Sequence, residues 1–135
     1  MVTRVDADLS EVYAEGEGGL LGMVVHPDFA RSRLFTTCLD HQEGGRPVDI
    51  RLVTWRLSED GRSAERVRDL LTGLPVADGG RHSGCRPTVG PDGSLLVGSY
   101  TDGVLRMRDG KVVGHYDNAR GMPGSNQVRA LAEEA

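Results

Sequence analysis

Turn signals recur along this chain at intervals of roughly ten residues, and a short segment rich in β-forming residues follows each one. Pro27-Asp28-Phe29 precedes Leu34-Phe35-Thr36, and Pro91-Asp92-Gly93 precedes Leu95-Leu96-Val97. Ser58-Glu59-Asp60-Gly61 and Arg108-Asp109-Gly110 are weaker echoes of the same pattern. Such spacing predicts an all-β chain. Small sheets of about four strands, repeated along a sequence, are the blades of a β-propeller. Roughly eleven strand-like segments would make about three blades, an incomplete set or a fragment of a larger propeller. An unclosed set leaves strand edges and a blade face open, so self-association through those edges is expected.

Val2 to Tyr13 alternates in places like a strand, with Val2, Val5, Leu9 and Val12 apolar. Glu15-Gly16-Glu17-Gly18-Gly19 is too rich in glycine for a helix interior and reads as a loop. Strands are predicted over 20–25, 33–39, 48–57 and 65–71, with 40–47 a polar loop between two of them. Within 48–57 the apolar phase changes between Leu52 and Val53, which calls for a bulge or for burial on both faces. Asp109-Gly110 is the strongest short hairpin signal, joining 103–108 to 111–116. Residues 127–134 read as a last strand or a frayed helical end.

A chain of 135 residues fits one domain. Its net charge is −4, and Lys111 is its only lysine. With no basic cluster and no aromatic stacking platform, nucleic acid is not an expected partner. No apolar run approaches the roughly 20 residues of a membrane-spanning helix, so no membrane partner is expected either. No apolar leader opens the sequence.

His82 is the residue best suited to chemistry. It lies in the glycine-rich turn Gly79-Gly80-Arg81-His82-Ser83-Gly84, just before an apolar strand start. Glycines allow close backbone approach to a ligand, and an imidazole changes charge easily near neutral pH. Cys38 and Cys85 can form a disulfide or remain free thiols. A third alternative uses the mirrored pairs Cys38-x-x-His41 and His82-x-x-Cys85, four ligands that could hold zinc tetrahedrally. No other metal site is expected.

Two longer motifs carry a resemblance. Gly16-Glu17-Gly18-Gly19-Leu20-Leu21-Gly22-Met23-Val24-Val25-His26-Pro27-Asp28-Phe29 resembles the opening motif of the glucose/sorbosone dehydrogenase family, soluble aldose dehydrogenases that use pyrroloquinoline quinone (PQQ). Leu71-Thr72-Gly73-Leu74-Pro75, His82-Ser83-Gly84-Cys85-Arg86 and Gly90-Pro91-Asp92-Gly93-Ser94-Leu95-Leu96-Val97-Gly98 resemble the family's second motif, in order and spacing. The resemblance covers about residues 10–100. It implies a propeller of about six blades in the full enzyme, with quinone and calcium on its top face. It implies His82 as catalytic base, and Glu17 and Arg86 as residues at the cofactor. It implies a sugar substrate and an extracytoplasmic setting, and Cys85 with a partner such as Cys38 fits an exported branch. The family's later blades, with further contacts to quinone and calcium, have no counterpart after Ser99.

The tail is similar to another pattern. Residues 102–116 with Gly121-Met122-Pro123-Gly124-Ser125-Asn126-Gln127-Val128-Arg129 resemble the propeller repeat of two-component sensor proteins, with Gly124 an extra residue. The expected organisation is therefore one propeller-like domain over 1–135, with a sugar-dehydrogenase-like part over 1–100 and a repeat-like tail over 101–135. A fragment, a fusion or a designed sequence would each join the patterns in this way.

Overall fold

Glycine-marked reversals become hairpins in the computed structural model of the chain, which describes residues 1–76, 85–99, 103–117 and 119. Strand β1 (Leu20–Val25) is followed by a single helical turn, α1 (Phe29–Ser32), then β2 (Leu34–Glu43), β3 (Arg46–Leu57) and β4 (Ala64–Leu74). The second half holds β5 (Cys85–Val89), β6 (Leu95–Ser99), β7 (Val104–Arg108) and β8 (Lys111–Tyr116). Gly44 and Gly45 close β2 onto β3 with φ of 59° and 83°, and Asp109 and Gly110 close β7 onto β8 with φ of 52° and 74°. Two successive residues at positive φ make the tight reversal whose twist matches that of paired strands.

The strands form two four-stranded antiparallel meanders, ordered β1-β2-β3-β4 and β5-β6-β7-β8. Their facing sides make the main core. Cys38, Ile50, Leu52 and Leu74 of the first sheet meet Cys85, Val97, Leu105 and Met107 of the second. The first sheet is also apolar on its other side, where Leu39, Val53 and Trp55 are buried against Ala7, Val12, Phe35 and Ala64. This explains the phase change in β3. Leu52 and Val53 are both fully buried, on opposite faces, and the pairing of β3 with β4 shifts register between them.

Two expectations are corrected here. Val2 to Tyr13 is not a strand. It makes only isolated bridges, Asp6 with Ser63 and Val12 with His41. Its apolar residues recur at intervals of about three and four, which cannot line one face of a period-two strand. Residues 40–47 are mostly strand, because β2 continues to Glu43 and β3 starts at Arg46. Burial of Asp40 and His41 between neighbouring elements overrides their low β-propensity. The eight strands of the described residues make two sheets. Residues 2–13 cover the first sheet instead of adding a strand, and 127–134 lie outside the described residues.

Candidate functional site

Strand β2 organises one end of the molecule. Cys38 and Asp40 are two residues apart, so their side chains leave the same face of the strand. Cys38 is joined to Cys85 by a disulfide, with Cα atoms 5.9 Å apart. The bond ties the middle of the first sheet to the start of the second. It also anchors the chain three residues beyond His82. His82 itself lies outside the described residues.

Asp40 is fully buried. Its main chain holds both ends of the acidic glycine loop. The Tyr13 N–H donates to the Asp40 carbonyl at 2.8 Å, and the Asp40 N–H donates to the Gly19 carbonyl at 3.0 Å. Within the loop, Gly18 N–H donates to the Glu15 carbonyl at 2.9 Å, and the Tyr13 hydroxyl donates to the Glu15 carboxylate at 2.8 Å. The Asp40 side chain lies directly against Gly18, where an added Cβ would stand 2.2 Å from Oδ2. Glu17 is carried at the exposed crest of this loop.

Arg86 is the next residue after the disulfide, yet strand alternation sends it to the other face of β5. Its guanidinium donates to the carbonyl of Cys85 at 3.1 Å. The fold therefore gathers Cys38, Cys85, Asp40 and the Glu17 loop, and turns Arg86 back on its own backbone. Sequence reading missed Asp40 because it placed this residue at the start of a loop. The signal was the alternation Thr36, Cys38, Asp40, which keeps the phase of β2.

The zinc alternative is corrected. Both thiols are consumed by the disulfide. Three residues along a strand also reverse the face, so His41 points away from Cys38. His41 is instead buried between Glu11 and Glu43, whose carboxylates are 3.7 and 3.6 Å from its ring nitrogens. Among the described residues, no three histidine, cysteine or acidic side chains converge as a metal would need. No cluster of carboxylates for calcium is formed among the described residues. A quinone would find only the exposed Gly16 backbone and Glu17 side chain at the crest of the 15–19 loop.

At the opposite end of the first sheet His26 has a structural setting. Its Nε2 is 2.7 Å from the Thr36 hydroxyl, which is 3.1 Å from the buried Thr54 hydroxyl. Burial lowers its pKa, Asp28 partly offsets that, and Arg68 adds to the lowering.

Two consecutive four-stranded meanders, packed face to face, are the blade arrangement of a β-propeller. The glucose/sorbosone dehydrogenase profile matches residues 2–111, and the chain belongs to that family. The match overlaps the start of the tail. A structure from Thermus thermophilus described as a glucose dehydrogenase is 28% identical, with a TM-score of 0.67 over 87% of this chain. A further glucose dehydrogenase structure is 27% identical, with a TM-score of 0.65 over 87% of this chain. The PQQ-bound aldose sugar dehydrogenase of Streptomyces coelicolor shares the fold, with a TM-score of 0.68 over 90% of this chain at 23% identity. The chain spans 39%, 39% and 38% of the lengths of these three proteins. A comparison with curated proteins finds no match.

Proposed function

We propose that this chain carries the base-bearing part of a quinoprotein sugar dehydrogenase acting on an aldose. In this reading His82 is the base. Its neutral imidazole takes the proton of the anomeric hydroxyl as C1 loses a hydride, and the sugar leaves as a lactone. Bound PQQ supplies the two-electron acceptor for that hydride. Glu17, on its glycine loop, and Arg86 would hold the quinone, one offering a carboxylate and the other a positive charge. Calcium belongs to the same reading, as the family resemblance implies. A disulfide suits an oxidising, extracytoplasmic compartment.

The observation that supports this reading most is the family match across residues 2–111, which includes the His82 motif. The test mixes the purified chain with PQQ, calcium and an aldose and follows a redox dye. Dye reduction that disappears in His82→Ala supports the reading. Dye reduction unaffected by His82→Ala, or no quinone binding, sinks it.

A second reading is a binding module without catalysis, associating with a second copy of itself. It is supported by an open apolar groove of about 310 Å³ on the outer side of the first sheet, lined by Leu20, Met23, Val25, Phe35, Trp55 and Leu57 among others. Leu20, Met23 and Val25 are exposed there. A sizing experiment checks it, and a clean monomer at high concentration removes it.

A further inference from the structure

We propose that Asp40 is a positioning residue, a buried carboxylate that sets the conformation of the Glu15–Gly19 loop and through it the placement of Glu17. The inference rests on the proposed role of Glu17 at the quinone rim, and its structural half stands without that role.

The argument begins from the loop itself. Three glycines among five residues give a segment with little conformational preference of its own. Something outside it must select one shape. Asp40 meets the loop at three places. Its carbonyl accepts from Tyr13 where the chain enters, and its N–H donates to Gly19 where the chain leaves. Its carboxylate fills the space beneath Gly18, leaving no room for a methyl group. Gly18 is thus required by space and not by its backbone angles, since it is absent from the glycines at positive φ.

The surroundings make a carboxylate at this place conspicuous. Asp40 is fully buried although charged side chains rarely are. It stands on the same face of β2 as Cys38, whose disulfide ends the segment that carries His82. The Glu17 loop and Cys85 are therefore both fastened to one face of β2, two residues apart. A substitution at Asp40 removes the carboxylate beneath Gly18 and leaves the two main-chain hydrogen bonds and the disulfide in place.

The test is a double-mutant cycle on the full chain, read first by amide hydrogen exchange without any cofactor. Gly18→Ala should accelerate exchange at the amides of residues 18 and 40, which donate to the Glu15 and Gly19 carbonyls, at least tenfold, because the new methyl group and the carboxylate cannot share the space. Asp40→Ala should accelerate it similarly by emptying the support. The double variant Gly18→Ala/Asp40→Ala should recover most of the protection, the methyl group now occupying the vacated volume. Asp40→Asn, of nearly the same shape, should stay close to the parent. Quinone titration by absorbance then follows the same order, with affinity weakened tenfold or more in each single alanine variant and restored in the double. Measurements are made well below each variant's melting temperature, so that a general loss of stability does not move them.

Additive effects in the cycle, or unchanged exchange in Asp40→Ala, overturn the positioning role. A cycle that couples as expected in a parent chain that binds no quinone upholds Asp40 as the support of the loop and refutes the cofactor reading of Glu17. Coupled exchange with quinone affinity unchanged throughout separates Glu17 placement from binding, and overturns the functional half of the inference.

Discussion

Gly22 of β1 lies against the carbonyl oxygen of Cys85 in β5, so close that an added Cβ would stand 2.8 Å from that oxygen and 3.0 Å from Pro87 Cδ. The edge of the first sheet thus touches the start of the second through bare backbone, beside the disulfide. Gly22→Ala should force the two sheets apart locally. The expected loss is about 1–3 kcal/mol, typical of overpacking a close contact. Denaturant unfolding of the variant checks it, and an unchanged midpoint would refute the close approach.

The disulfide between Cys38 and Cys85 closes a sequence separation of 47. On the chain-entropy account, removing such a link costs about 4 kcal/mol. Both sulfurs are in fully buried residues, so thiol reagents should find nothing to label until reductant and denaturant are added together. Cys38→Ala/Cys85→Ala should unfold at clearly lower denaturant than the parent. Labelling of two thiols in the native, unreduced protein would contradict the bond.

Trp55, the chain's only tryptophan, donates its indole N–H to the Thr37 hydroxyl at 2.8 Å, with both residues buried. Thr37→Val keeps the shape and leaves that donor without an acceptor. The expected cost is about 1–3 kcal/mol. Tryptophan fluorescence reports both the unfolding transition and the altered indole environment. A variant with parental stability and an unshifted emission maximum would argue against the bond.

His26 makes stability depend on pH in a defined direction. An unfolded imidazole takes its proton near 6.5, whereas burial lets the folded one resist protonation until lower pH. Between those values the unfolded state binds more protons, so stability falls as pH drops below about 6.5 and levels off once the folded group is protonated. His26→Gln should flatten this part of the profile. Urea midpoints measured from pH 8 to pH 5 on both proteins give the difference, and parallel profiles would show that His26 does not contribute.

Much of the fold was readable in short segments. Asp109-Gly110 is a local instruction, because positive φ at two successive positions reverses a strand whatever surrounds it, whereas Gly44-Gly45 makes the same reversal within a segment that reads as a polar loop. The break at Leu52 and Val53 correctly announced burial on both faces. Of the candidate site residues, Cys38 and Cys85 pair as one of the sequence readings allowed, whereas Arg86 folds back on the Cys85 carbonyl. Asp40 escaped notice because polar residues near glycines suggest a loop, and only a neighbouring element can bury a carboxylate.

The amino-acid sequence by itself determined the short antiparallel strands, their tight turns and the family motifs around Glu17 and His82, since period-two alternation and turn chemistry act within a few residues. Only the tertiary structure decided which cysteine chemistry prevails, that residues 2–13 cover a sheet instead of joining one, and that Asp40 supports the Glu17 loop. Those outcomes depend on how one sheet stacks against another and on what lies above Gly18. Contacts between residues far apart in the chain arise from shape and packing, which no local pattern records.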